Sequence, residues 1–227
     1  RSLILKHIAF IMDGNGRWAK AQGKSRQYGH KIGSSKVYDV FKQCAKFGCE
    51  SATFFAMSSE NMLRSDEETE YISALLKSSI EEHFSDLLLN KTKFKVIGDI
   101  TNLPDDIKEV IKNAEDKTKD FTNLKLYIAY NYGGQWDILN AVKSLVHTNH
   151  ALTTENLNDH LSTKDDFPDL IVRTGGYKRL SNFMLWQSCY SELEFLDILW
   201  PDISEHDIKL IFDQYLNTKR NFGKIKK

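Results

Sequence analysis

Apolar residues in this chain fall into short continuous runs and longer stripes at helical spacing, separated by polar or glycine-rich stretches. The first run, His7 to Met12, is rich in β-favouring residues and stops at Asp13-Gly14-Asn15-Gly16, which predicts a buried strand delivering a carboxylate to a sheet edge. A polar link at Gln22–Gln27 reads as mobile. From His30, the residues Val37, Val40, Phe41, Cys44 and Ala45 recur on one helical face, with Gly48 placed to stop it. Ala52–Met57 predicts a second strand. Ser65-Asp66-Glu67-Glu68 then forms a capping box ahead of a long stripe through Ile72, Leu76, Ile80, Phe84 and Leu87. Further strands are predicted at Phe94–Ile97, Leu124–Tyr130 and Asp169–Val172, with a sixth around Glu194–Leu196. Helices are predicted from Pro104 through Ala114, over Trp136–Val146, over Ser181–Gln187, and from Ser204 through Tyr215. Thr148–Asp166 reads as a polar surface excursion holding a short helix.

Strands alternating with helices imply an α/β fold, a central and mostly parallel sheet of about six strands flanked by helices. Ligands of such sheets bind outside the carboxyl ends of the strands. Asp13, Ser58, Asn131 and Arg173 each follow a strand, so all four are expected in one cleft. At 227 residues and 41% hydrophobic, residues 1–227 are expected to form a single domain. Lysine plus arginine and aspartate plus glutamate both number 31, so overall charge gives no case for nucleic acid. Cys44, Cys49 and Cys189 form no C-x-x-C pair, which argues against a disulfide scaffold or a zinc site. No apolar run approaches the ~20 residues of a membrane span. The chain opens with Arg1, which leaves room for a removed targeting segment.

Two stretches carry chemistry. In the first, Gly14 and Gly16 permit close backbone approach, and Asn15 and Arg17 stand ready for phosphate oxygens. Asp13 would repel a phosphate unless a divalent cation lay between them, so the stretch reads as a metal–diphosphate site, or equally as a plain Asp-Gly turn. Gly14 to Ala19 also fits G-x-G-x-x-A, yet the next strand comes too late and ends in Ser58-Ser59, against a dinucleotide site. His30, near a helix start, fits a phosphate ligand or a solvated first-turn residue. The second stretch, Arg173 to Ser181, gathers Arg173, Arg179, Lys178 and a diglycine into another anion site. Glu192, just beyond, reads as a second metal ligand or a capping acid. Two anion sites beside an apolar interior suggest the joining of two phosphorylated, greasy molecules.

The segments at His7–Lys20 (HIAFIMDGNGRWAK), Ser58–Asn61 (SSEN), Asn131–Gly134 (NYGG), Arg173–Gly176 (RTGG), Arg179–Phe183 (RLSNF), Ser191–Phe195 (SELEF) and Leu199–Asp202 (LWPD) carry a resemblance. Together they make the chain, from His7 to Gly223, similar to the cis-prenyltransferases, that is, undecaprenyl and dehydrodolichyl diphosphate synthases. The resemblance implies a homodimer with an elongated hydrophobic tunnel and Mg2+-dependent condensation of isopentenyl diphosphate onto an allylic diphosphate such as farnesyl diphosphate. The product would be a polyprenyl diphosphate for a dolichol or undecaprenol glycosyl carrier, made in the cytoplasm, with peripheral membrane contact for product release (at the endoplasmic reticulum in a eukaryote). By matching position, Asp13 is the catalytic, metal-associated acid. Gly14, Asn15, Gly16, Arg17, Trp18, Arg26 and His30 are implied to hold the allylic substrate, with Arg64 nearby. Ser58 and Asn61 position the reacting groups; Arg173, Arg179 and Ser181 bind isopentenyl diphosphate; Glu192 supports the metal across the dimer. The chain departs from the family at Met62, at Arg64-Ser65, at Tyr177 where an acid is usual, and at Asn221-Phe222-Gly223 in place of Arg-x-Gly. Loss of that acid implies weakened electrostatics at the metal or the isopentenyl site. The alternatives are a non-catalytic isoprenoid-binding subunit, disfavoured by the intact Asp13–Arg17 loop, and a phosphate hydrolase or nucleotide enzyme.

Overall fold

The computed structural model describes residues 4–63 and 65–218. Six strands, β1 (His7–Ile11), β2 (Ser51–Phe55), β3 (Thr92–Ile97), β4 (Leu124–Ala129), β5 (Leu170–Arg173) and β6 (Glu192–Phe195), form one sheet in the order β3-β4-β2-β1-β5-β6. Every pairing is parallel. The helices are α1 (Asn15–Ala21), α2 (Arg26–Lys46), α3 (Asp66–Leu89), α4 (Asp105–Thr118), α5 (Gly134–His147), α6 (Thr154–His160) and α7 (Glu205–Asn217).

β1 lies inside the sheet and is buried along its whole length. Its residues still obey the two-residue alternation of a strand. Ile8 and Phe10 join the large core shared with α2, α3, α4 and α7, while Ala9 and Ile11 join the core that Tyr132, Phe183 and Met184 complete on the other face. From β1 the chain moves first toward β2 and later returns on the opposite side as β5. The sheet therefore has its switch point between β1 and β5, where a ligand crevice opens at the carboxyl ends. Ile11 is in register with Phe55 on one side and with Arg173 on the other, so the residues after β1 and β2 emerge beside Arg173 at one level.

The polar excursion is more than surface. Leu157 and Leu161 are buried against α5, and Asp166 reaches the amino-terminal half of the sheet. There the Asp166 carboxylate accepts hydrogen bonds from Ser51 Oγ (2.8 Å), Tyr127 Oη (2.9 Å) and Lys125 Nζ (3.1 Å), with His7 Nδ1 3.0 Å away. Burial pushes this carboxyl up, but the contacts with His7, Ser51 and Lys125 outweigh it and hold the group well below the ordinary carboxylate range.

Three local expectations need correction. Asn15 and Gly16 were expected in a loop, yet they form the first turn of α1, with Gly14 in a left-handed conformation (φ 116°) before it. The supposed mobile link ends at Ser25, which caps α2 by accepting from Tyr28 N, so Arg26 and His30 lie one turn apart on a helix. The predicted helix at Ser181–Gln187 is a run of turns instead. Ser181, Asn182 and Met184 have positive φ, Asn182 accepts from Gly134 N and Gln135 N at the start of α5, and Phe183 and Met184 are fully buried. Those side chains serve a cap and a core that a regular helix would not satisfy together.

Candidate active site

Asp13 sits two residues beyond β1 and is fixed through its backbone. Its N–H donates to Thr174 Oγ1 (3.0 Å), that hydroxyl donates to Asp13 O (2.8 Å), and Trp200 N donates to the same oxygen (3.1 Å). The carboxylate is shared between two guanidinium groups, with Oδ1 accepting from Arg17 Nη2 (3.1 Å) and Oδ2 from Arg173 Nη2 (3.0 Å). Arg173 is almost fully buried, and its other branch donates to Arg179 O (2.8 Å) and Ser181 Oγ (2.6 Å). Arg17 also donates to Gly175 O (2.8 Å). Gly175 has φ +89°, a conformation that favours glycine, and a Cβ there would lie 3.0 Å from the Asp13 side chain.

The opposite wall comes from α2, α3 and the residues after β2. Glu68 Oε1 accepts from Arg26 Nε (2.9 Å) and lies 3.1 Å from His30 Nε2, tying α3 to both. Ser65 caps α3 by accepting from Glu68 N, but the Glu68 side chain serves this bridge, and so only half of the expected capping box forms. Ser58 Oγ accepts from Asn61 N (3.1 Å), which sets the turn carrying both residues. Asn15 packs its carboxamide against α2 so closely that a Cβ on Gly33 would lie 2.3 Å from Asn15 Oδ1.

These residues enclose a cleft of about 390 Å³. It brings together Asp13, Gly14, Asn15, Gly16, Arg17, Arg26, His30, Ser58, Asn61, Arg173, Arg179 and Ser181, which the sequence expected at one site. Four arginines thus face the cleft with Asp13 as the carboxylate on its lining. Next to it lies a smaller, mainly apolar cavity bounded by α2, α3 and the sheet, and Met12, Asn15, His30, Ala56 and Ile72 line both. Its α3 wall runs from Ile72 to Leu87, about 22 Å at 1.5 Å per residue.

Other expected residues lie elsewhere. Trp18 does not line the cleft; it stacks on Tyr28 and its indole N–H donates to Asp202 Oδ1 (2.7 Å), which braces α1. Asn131 takes a left-handed turn and donates to Asp99 O, outside the cleft. Glu192 starts β6 in register with Leu170, at the opposite end of the sheet from Asp13, so the two cannot share a cation within one chain. Arg64 lies outside the described residues. Among the described residues no group of three or more histidine, cysteine or acidic side chains is placed to hold a metal. Sequence reasoning did not assign Thr174, Glu68 or Trp200. Thr174 and Trp200 were visible only as parts of quoted motifs, and Glu68 was absorbed into the capping box.

A parallel sheet with a cationic cleft at its switch point and an apolar cavity beside it defines an α/β protein built for an anionic group attached to a greasy one. Residues 11–223 match the Prenyltransf family model, described as "Putative undecaprenyl diphosphate synthase", and the chain belongs to this family, the cis-prenyltransferases. It is 42% identical over 226 residues to ditrans,polycis-undecaprenyl-diphosphate synthase ((2E,6E)-farnesyl-diphosphate specific) of Shewanella oneidensis, covering 96% of this chain and 82% of that one. It is 39% identical to isoprenyl transferase of Helicobacter pylori, covering 98% of each. Among solved structures, lavandulyl diphosphate synthase from Lavandula x intermedia in complex with dimethylallyl diphosphate superposes with a TM-score of 0.90 at 29% identity, covering 97% of this chain and 98% of that one.

Proposed function

We infer that this chain is a cis-prenyltransferase that extends an allylic diphosphate, farnesyl diphosphate in the first instance, with isopentenyl diphosphate. The observation that carries the reading is the four-arginine cleft opening onto an apolar cavity through shared residues. Arg17, Arg26 and His30, with the backbone of Gly14, Asn15 and Gly16, are placed for the allylic diphosphate. Arg173, Arg179 and Ser181 are placed for that of isopentenyl diphosphate, with Ser58 and Asn61 between the two groups. Guanidinium forks match phosphate oxygens, and in a cleft partly screened from water they stabilise the charge left on a departing diphosphate. The apolar cavity takes the hydrocarbon chain and keeps it from water.

The donor set fits Mg2+ carried by the substrate. Asp13 is the carboxylate on the cleft lining, and Mg2+ is ordinarily held by one or two carboxylates plus phosphate oxygens and water. When bound, Mg2+ draws charge from the diphosphate. Asp13 is poised for this by a backbone tied to Thr174 and Trp200 and by two guanidinium groups that orient its carboxylate.

We further propose that the chain works as a homodimer of single-domain subunits. Leu139 and Val146, seven residues apart on one face of α5, are 60% and 75% exposed, and β6 leaves Leu193 half open on a sheet edge. A second copy covering these residues would bury that apolar face, and on this reading Glu192 acts in the partner's cleft; the expected contribution of the stretch around Asn221 lies outside the described residues. No described helix is long and apolar enough to cross a membrane, and the reading includes peripheral contact for product release into the dolichol or undecaprenol carrier pathway. The direct test is incorporation of labelled isopentenyl diphosphate into organic-extractable product. Incorporation should require both Mg2+ and farnesyl diphosphate; label uptake without an allylic diphosphate, or none with it, would overturn the assignment.

A further inference from the structure

Tyr177 lies on the cleft lining just past the Gly175-Gly176 turn, 47% exposed. Its ring centre is 4.9 Å from the Arg17 guanidinium carbon and 4.4 Å from that of Arg179. These two arginines come from different segments of the chain. Arg17 belongs to α1, and Arg179 to the loop after β5. Arg17 has other anchors in Asp13 and Gly175. The Arg179 guanidinium, by contrast, makes no ion pair among the described residues and packs on the Tyr177 ring.

The chemistry of the anchor matters. An aromatic face attracts a guanidinium through its quadrupole without accepting its N–H bonds and without cancelling its charge. A carboxylate at the same position would do both. We propose that Tyr177 is a positioning residue, a neutral strut that holds Arg17 and Arg179 over one shared ring, sets the two diphosphate-binding halves of the cleft as a unit, and leaves their donors and charge for phosphate. This reverses the expectation that loss of an acid here weakens the site. For bare diphosphate it strengthens it.

The proposal rests on the diphosphate-binding reading above, and two measurements on the full chain keep the failures apart. The first is calorimetric titration with inorganic pyrophosphate in the presence of a chelator; the second is KM and kcat for each prenyl substrate with Mg2+. Tyr177→Phe, which keeps the ring, should bind pyrophosphate within about twofold of wild type. Tyr177→Leu keeps bulk but loses the quadrupole. It should bind pyrophosphate measurably more weakly, by at most about 5- to 30-fold, the limit set by two exposed cation–π contacts, and raise KM for both substrates by more than it lowers kcat. Tyr177→Glu should bind magnesium-free pyrophosphate more weakly still. Wild type without measurable pyrophosphate binding, Leu equal to wild type, or Glu no weaker than Leu would each overturn the proposal. A wild type that binds pyrophosphate in this graded way but condenses no prenyl substrates would overturn the enzymatic reading alone.

Discussion

Asp13 is held in place by its neighbours and contributes little to packing. Its backbone is tied to Thr174 and Trp200, while its carboxylate, about one quarter exposed, bridges Arg17 and Arg173. Asp13→Asn should therefore lower turnover by at least about a hundredfold, the order of losing one preorganised electrostatic group, with a small change in melting temperature. Single-turnover condensation run beside a thermal melt checks this, and unchanged turnover would remove Asp13 from the chemistry. The two arginines across from it should behave differently. Arg179→Ala removes one charge-assisted contact, about 1.5–3 kcal/mol, and should raise KM for isopentenyl diphosphate with kcat nearly kept. Arg173→Ala also frees Asp13 from an almost fully buried partner, so kcat should fall as well. A matching effect of both variants on kcat would show that Arg173 and Arg179 act as one anion clamp.

At the level of elements, the strand ends were readable because each apolar run stops at a polar or glycine-rich residue. The central apolar stripes of α2 and α3 were readable because their period is helical. What escaped was local structure set by tertiary partners. Asn15 and Gly16 carry no apolar signal, yet they become helical because α1 packs on α2 through Gly33. Ser181 to Gln187 has helical composition, yet its backbone bends to cap α5. The excursion before β5 looked like surface until Asp166 was seen on His7, Ser51, Lys125 and Tyr127. That cluster has a consequence for pH. The folded carboxyl of Asp166 is depressed, so its contribution to stability is complete above the unfolded-state value near ~4 and is lost as pH falls below it. Asp166→Ala should lower stability by about 3–5 kcal/mol at neutral pH, since it strips three donors of their acceptor, and should flatten the acid limb of the stability profile. Urea melts of both proteins over the acid range measure this; parallel profiles would show that other carboxylates set the acid limb.

Across the whole molecule, the sheet order explains why residues distant in sequence meet. The switch between β1 and β5 opens the crevice, and the register of Ile11 with Phe55 and Arg173 sets Asp13, Ser58 and Arg173 around it. The same register separates Glu192 from Asp13, which sequence proximity to the RTGG segment could not reveal. If Glu192 acts on the metal, it acts in a partner's cleft. Leu139→Glu together with Val146→Glu on the exposed face of α5 should then shift the chain toward monomer in sedimentation and lower activity in parallel, while a dimer of full activity would place the interface elsewhere.

The central claim is that the anion cleft and the apolar cavity are one continuous site, and Ala56 is where it can be tested. Ala56 lines both cavities, directly after β2 and two residues before Ser58. Leucine there would narrow the passage between the diphosphate and the space for the growing chain. Chromatographic separation of the polyprenyl products of wild type and Ala56→Leu, made from farnesyl diphosphate and labelled isopentenyl diphosphate, is the deciding measurement. The account predicts shorter products from the variant with the first condensation preserved. An unchanged product ladder from a variant that is destabilised by overpacking, about 1–3 kcal/mol, would contradict it.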